Sequence, residues 1–155
     1  GPLELDQAAY DAVRPGRLAA LPYAVQDGRR PWQIDLRPSF AELARLILGG
    51  GCSRPELAWR FHRTIIEAVV EVVRRLATEE EIEDCCVSGG VFQNHLIGRY
   101  VRRRLEDLGI QVHRNVEVPA NDGGISFGQV VLASWRMMRD GPPPSSGRRA
   151  GSATG

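Results

Sequence analysis

The 155-residue chain contains no lysine, so all 20 of its basic residues are arginine. A phosphate-binding loop of the G-x-x-x-x-G-K type places a lysine beside the phosphates, and this class of site is therefore excluded. The formal net charge is only +1, which argues against a protein that attracts nucleic acid electrostatically. We interpret the absence of lysine first as a compositional bias and only second as a sign of phosphate chemistry.

Cysteines and long apolar runs are also scarce. Cys52, Cys85 and Cys86 are too few for a disulfide framework, and the adjacent pair is predicted to pack, reduced, in a strand. The sequence has no run of about 18 apolar residues of the kind that spans a bilayer, and its first residues do not resemble a secretory signal. We therefore expect a soluble, cytoplasmic protein without a membrane partner.

Two helix starts are indicated by capping boxes, in which a serine is followed three positions later by a glutamate. Ser39 and Glu42 predict a helix to about Leu48, where three glycines end it. Ser53 and Glu56 predict the longest helix, to about Thr78. Residues 1–37 before them are predicted to be an irregular lead-in with short strands at 21–25 and 32–36.

The second half of the chain predicts a β-α-β-α unit. Strands are expected at 82–87 and 110–118, and helices at 95–108 and 121–139. This order requires a right-handed crossover and parallel pairing of the two strands. The last helix offers apolar residues for packing, namely Ile125, Val130, Leu132, Ala133, Trp135 and Met138. We expect one α/β domain over residues 38–139, and a disordered tail over 140–155, which are rich in glycine, proline and serine.

Paired glycines follow each of the two predicted strands, as Ser88-Gly89-Gly90 and as Asn121-Asp122-Gly123-Gly124. Without Cβ atoms, an anionic ligand can approach backbone N–H groups closely. The first pair is equally compatible with a turn that needs a positive φ. A cap needs no glycine at the next two positions, each of which costs up to about 1 kcal/mol of helix propensity. We therefore predict a nucleotide site formed by both junctions.

Polar side chains near the glycines have alternative roles. Asn94 can cap the helix that follows it or contact a ligand, and capping is the simpler role. Asn121 and Asp122 are preferred N-cap residues, while a carboxylate at a strand end is also an ordinary metal ligand. His62, His95 and His113 have no second histidine four residues away and no cysteine pair nearby, so no complete metal site is expected within the chain. Residues 102–104, three arginines, are predicted to be a solvated helix face.

These residues resemble the C-terminal portion of the hydrogenase-maturation carbamoyltransferase family, HypF. The resemblance is carried by residues 88–94 and 118–129, with support from residues 60–62 and 35–38, and it covers roughly residues 32–135. Val-Phe-Gln-Asn after the first glycine pair separates this family from the related threonylcarbamoyl-adenosine synthases.

The resemblance implies one lobe of an actin/hexokinase/Hsp70-like, ribonuclease H-like ATPase fold, in which two lobes clamp a nucleotide and a metal. In the family, carbamoyl phosphate and ATP yield carbamoyl-adenylate, and the carbamoyl group passes to the C-terminal cysteine of a partner, HypE. This group becomes the cyanide ligand of nickel–iron hydrogenase. By motif match, Ser88, Gly89, Gly90, Asn94 and Asn121 would contact the nucleotide. Asp122 would bind a divalent metal, iron or zinc, shared with a lobe that is missing here. No catalytic residue is assigned.

The sequence departs from the family in one respect. The family's paired histidine ligands lie on an H-x-x-x-H helix of the other lobe, and this motif does not occur here. We therefore expect a carbamoyltransferase fragment that is not active alone. The alternatives are a non-catalytic nucleotide-binding or dimerising lobe, which would expose an apolar face, and a small-molecule O-carbamoyltransferase relative. A tRNA-modifying relative is disfavoured by residues 91–93.

Overall fold

The computed structural model describes residues 18–26, 28 and 30–141, together with Glu4 and Ala9. Nearly all of the predicted tail, and residues 1–17 of the predicted lead-in apart from Glu4 and Ala9, lie outside the described residues. Strands and helices in chain order are β1 (Ala24–Gln26), β2 (Gln33–Asp35), α1 (Arg37–Gly49), α2 (Arg54–Glu80), β3 (Asp84–Val87), α3 (His95–Glu106), β4 (Gln111–Arg114) and α4 (Ile125–Asp140). Short 3-10 turns, Gly90–Gln93 and Asp122–Gly124, precede α3 and α4.

The strands form two separate pairs. β1 and β2 are antiparallel, with Val25 opposite Ile34. β3 and β4 are parallel, with Cys85 opposite Val112, and α3 provides the crossover between them. The predicted β-α-β-α order and its parallel pairing are therefore confirmed, although β4 ends at Arg114 rather than continuing to Val118.

Helix α2 begins at the predicted capping box. The Glu56 backbone N–H donates to Ser53 Oγ at 3.4 Å, and the Ser53 backbone N–H donates to the Glu56 carboxylate at 2.8 Å. The helix continues to Glu80 and ends at Glu81, which has a left-handed backbone with a φ of 53°. Two backbone N–H groups that would otherwise lack a partner are thus satisfied at its start.

The capping box predicted at Ser39 is wrong. Helix α1 already begins at Arg37, with Pro38 in its first turn, where a proline costs no hydrogen bond. Ser39 is fully buried, and its hydroxyl donates to the Pro22 carbonyl oxygen at 2.7 Å. The Arg37 backbone N–H instead donates to the Asp35 carboxylate at 3.0 Å. A carbonyl 17 residues away in the chain therefore determines the role of this serine.

The main core lies between α2, α3 and one face of the β3–β4 pair. Val101 and Leu105 of α3 are fully buried in it, and Cys85 and Val112 pack against it from the strands. Because side chains alternate along a strand, Cys86 points to the opposite face and is exposed. The prediction that both cysteines are packed is thus wrong for Cys86.

Helix α4 has no buried residue. The predicted packing of its apolar side chains is wrong for the described residues, because no described element covers the helix. A parallel sheet is normally covered on both faces, yet the outer face of this one is open. Large apolar side chains of α4 that are at least 46% exposed are Ile125, Phe127, Val130, Val131, Leu132, Trp135, Met137 and Met138.

No helix in the described part of the chain combines the length and the apolar character that crossing a bilayer requires.

Candidate functional site

The two glycine junctions lie side by side at the carboxyl ends of β3 and β4. The Gly89 backbone N–H donates to the Ala120 carbonyl oxygen at 2.7 Å, which joins the first junction to the segment just before the second. Parallel strands end at the same edge of a sheet, so the connection follows from the crossover through α3. The structure thus joins the Ser88-Gly89-Gly90 junction to Ala120, the residue directly before Asn121 and Asp122.

Gly89 and Gly90 are needed for different reasons. Gly89 has a φ of 101°, a backbone conformation that residues other than glycine rarely adopt. Its N–H already donates to the Ala120 carbonyl oxygen. Gly90 has no positive φ, and a Cβ built on it would meet nothing within 4 Å. The fold itself therefore does not require glycine at position 90, which leaves close approach of a ligand as a physical reason for it.

Ser88 is exposed beside this open surface. Its hydroxyl forms no hydrogen bond with the residues that the structure describes. A hydroxyl both donates and accepts, so Ser88 can serve a polar ligand at this edge.

Asn94 is held between two helices. Its Oδ1 accepts from the Ile97 backbone N–H at 2.9 Å, which caps α3, and its Nδ2 lies 2.9 Å from His62 Nε2. His62 is 4% exposed, and its Nδ1 lies 2.8 Å from the Ala58 carbonyl oxygen. Because a carbonyl only accepts, the imidazole proton is on Nδ1 and Nε2 accepts from Asn94. Asn94 therefore has a structural role, and its contact with a nucleotide stays a prediction.

Asn121 caps the 3-10 turn that leads into α4, since its Oδ1 accepts from the Gly123 backbone N–H at 3.0 Å. A Cβ built on Gly124 would lie only 2.5 Å from the Pro119 carbonyl oxygen. Our inference that this second glycine pair needs a nearby ligand is therefore wrong for Gly124. The chain's own backbone approaches it closely enough to exclude any side chain.

Asp122 is exposed in the same turn, and its carboxylate has no hydrogen bond or ion pair with the described residues. Carboxylate oxygen suits divalent cations. Within the described ranges, no group of three or more histidine, cysteine, aspartate or glutamate side chains could hold a metal ion. Asp122 fits a metal only as a single ligand, with the others supplied from outside the described residues.

A cleft beside the two junctions was missed by the sequence reasoning. It has a volume of about 190 Å³ and lies between α3 and the segment after β4, with Ala120 in its wall. His95, Arg99 and Arg102 line it from α3, and Arg114 lines it from β4. The sequence signal was the spacing of 95, 99 and 102, because residues four and then three apart share a helix face.

Comparison with known proteins identifies similar chains. Residues 1–129 match the family model described as "Carbamoyltransferase, Kae1-like Domain, second subdomain". The chain is 33% identical over 98 residues to carbamoyltransferase HypF of Rhodobacter capsulatus, covering 63% of this chain and 13% of that protein. It is 30% identical over 128 residues to carbamoyltransferase HypF of Rhizobium leguminosarum bv. viciae, covering 83% of this chain and 16% of that protein. The chain thus spans less than a fifth of these relatives' length.

Solved structures give the same picture of the fold. A crystal structure of full-length HypF in the phosphate- and nucleotide-bound form has a TM-score of 0.77 at 24% identity, covering 92% of this chain and 18% of that chain. HypF of T. kodakarensis has a TM-score of 0.68 at 23% identity, covering 88% of this chain and 17% of that chain. These likenesses confirm the predicted fold class.

Proposed function

This chain belongs to the carbamoyltransferase family as the second subdomain of its Kae1-like domain, and we propose that it forms one half of a carbamoyl-transfer site. In the complete site, a carbamoyl group passes from carbamoyl-adenylate, made from carbamoyl phosphate and ATP, to the C-terminal cysteine of a HypE-like acceptor. The product would supply the cyanide ligand of nickel–iron hydrogenase.

The observation that carries the proposal is the joined pair of glycine junctions with an open surface at Gly90. The Gly89 N–H bond to Ala120 holds the two strand ends together, and nothing lies within 4 Å of a Cβ placed at Gly90. An adenylate bound there would contact the Gly90 backbone and the Ser88 hydroxyl. Gly89 would act through its conformation rather than through its N–H, and Asn94 would act by holding the start of α3.

Asp122 would bind a divalent metal, iron or zinc, that is shared with another lobe. This metal would neutralise charge on the phosphates and orient them when bound. Because Asp122 supplies only one ligand among the described residues, the half-site would bind metal and nucleotide weakly. We do not expect carbamoyl transfer from this chain by itself.

The proposal is tested by calorimetric titration of the chain with ATP and ADP in the presence of Fe²⁺ or Zn²⁺. We expect weak, saturable binding, and we expect Gly90→Val to weaken it at least about tenfold, since a side chain would occupy the space of the ligand. Gly51→Val is the matched control, because Gly51 also has no positive φ and has nothing within 4 Å of its Cβ position. Equal ATP affinity in wild type and Gly90→Val, or no binding by wild type, would contradict the nucleotide site.

The role of Asp122 is tested separately by metal analysis. Asp122→Asn keeps the shape of the side chain but removes its charge, so it should lower bound iron or zinc while the thermal stability of the apoprotein stays the same. An unchanged metal content in the longer enzyme, together with unchanged carbamoyl transfer, would remove Asp122 from the site.

A non-catalytic module that dimerises is the second candidate, and the exposed apolar side of α4 favours it. Apolar patches of this kind mark surfaces that another chain or domain covers. We expect sedimentation of the chain to show self-association that Leu132→Gln combined with Trp135→Gln abolishes. A clean monomer at high concentration would count against this candidate.

A further inference from the structure

The cleft beside Ala120 has basic walls and no acidic lining residue. His95, Arg99 and Arg102 project from one face of α3, and Arg114 and Asn115 form the facing wall after β4. Val87, Phe92, Gly98 and Ala120 complete the lining.

The arginines of this cleft differ from most other arginines that the structure describes. Elsewhere, carboxylates neutralise them at short distance, as in Arg45–Glu42, Arg63–Glu67 and Arg37–Asp35, each at 2.7 Å. Neither Arg99 nor Arg114 has a hydrogen bond or ion pair with the residues described here. Arg102 approaches Glu106 only to 3.9 Å.

Unneutralised positive charges that share one small cleft repel one another, and an anion between them removes that repulsion. The guanidinium group presents paired N–H donors that match phosphate oxygens. Asn115, with an amide side chain, lines the same wall. The features together are those of a site for an oxyanion rather than for a cation or an apolar ligand.

The size of the cleft narrows the ligand class. Its volume of about 190 Å³ is below the roughly 300–1,000 Å³ of pockets that enclose drug-sized ligands. A phosphate or pyrophosphate group fits this volume better than a whole nucleotide does.

We propose that this cleft is a binding site for a phosphate or pyrophosphate group, separate from the surface at Gly90 and adjacent to it through Ala120. The group is either free or the phosphate end of a nucleotide that extends from the Gly90 surface. In the second case the site rests on the nucleotide binding proposed above, and in the first case it does not; neither case depends on carbamoyl transfer.

Calorimetric titration with pyrophosphate and with inorganic phosphate tests the site. We expect saturable binding that weakens with salt, and we expect Arg99→Gln combined with Arg114→Gln to weaken it at least about tenfold. The single variants should give intermediate losses, which keeps the test valid should the double variant be unstable. Arg103→Gln is the matched control, since Arg103 lies on the same helix but lines a different groove.

No saturable binding by wild type, or an equal loss in Arg103→Gln, would overturn the proposal, because the arginines would then act only as a diffuse positive surface. Competition identifies the source of the phosphate. If pyrophosphate displaces ATP and both need Arg99 and Arg114, the group is the end of a nucleotide. If pyrophosphate binds saturably without displacing ATP, and ATP binding does not need Arg99 and Arg114, the group is a free ligand. Pyrophosphate binding that persists in Gly90→Val, which should have lost ATP, separates this site from failure of the nucleotide proposal.

Discussion

Helices α3 and α4 begin in similar local sequences but differ in how much of each helix is buried. Each follows a strand and a glycine pair, and an asparagine caps each helical segment, Asn94 for α3 and Asn121 for the turn before α4. Four residues of α3 are buried, whereas none of α4 is. The comparison shows that a strand end, a cap and an apolar pattern determine where a helix begins, but not what covers it.

The energetic consequence differs for the two helices. Full burial of a large apolar side chain stabilises a fold by about 1.5–3 kcal/mol, and α3 realises this with Leu96, Val101 and Leu105. Most of the stability of a helix in a protein comes from packing of its apolar face, and α4 has no buried residue.

The largest expected effect is the loss of core packing in α3. Leu105→Ala, at a fully buried position, should lower the free energy of unfolding by about 2–5 kcal/mol because it leaves a cavity. Leu132→Ala in α4, at a position that is 46% exposed, should change it by no more than about 0.5 kcal/mol. Denaturant unfolding of both variants measures the difference, and equal losses would show that α4 is packed in solution.

A second, smaller effect distinguishes the two asparagine caps. Asn94→Ala removes both the cap of α3 and the hydrogen bond to His62 Nε2, so the loss should be about 1–3 kcal/mol. Asn121→Ala removes a cap on an exposed turn and should cost about 1 kcal/mol or less. Thermal unfolding compares them. A loss in Asn94→Ala no greater than that in Asn121→Ala would mean that the bond to His62 contributes nothing.

The smallest expected effect is on the pH dependence of stability. It arises at the start of α1, where the Asp35 carboxylate, rather than an asparagine side chain, accepts from a backbone N–H. Hydrogen bonds from Arg37 lower the pKa of Asp35 from 3.8 to about 2. A carboxyl whose pKa is lower in the folded state stabilises the fold above its unfolded pKa, and this contribution is lost as the pH falls from 3.8 towards 2. We expect the free energy of unfolding of Asp35→Asn to depend less on pH than that of wild type between pH 3.8 and pH 2. Asn94→Ala should leave that slope unchanged, and unfolding at pH 2 to 5 measures both.

The capping pattern predicted the structure correctly where the interacting side chains have no competing partner from elsewhere in the fold. The capping box at Ser53 formed as predicted because Ser53 and Glu56 are three residues apart. The same pattern at Ser39 failed because the fold places the Pro22 carbonyl, 17 residues away, against its hydroxyl. The prediction at Gly124 was wrong although the partner is close in the chain, because the Pro119 carbonyl approaches Gly124 only when the turn has folded.

The candidate site shows the same contrast between features that are local in the chain and contacts that the fold creates. Its residues were predicted from two short motifs, and the resemblance that rests on them identified the family. The bond from Gly89 to Ala120, the link between Asn94 and His62, and the basic cleft were not predicted. They join segments that the sequence separates by 31, 32 and about 15 residues.

The sequence alone determined the α/β class, the parallel β-α-β unit and the two glycine junctions, because periodicity, capping and glycine spacing act over a few residues. The tertiary structure alone decided which side chains are already used by the protein and which remain open to a ligand. It also decided that α4 stays uncovered by the described residues. These properties depend on packing between distant segments, and the balance of burial and hydrogen bonding there is set only when the chain has folded.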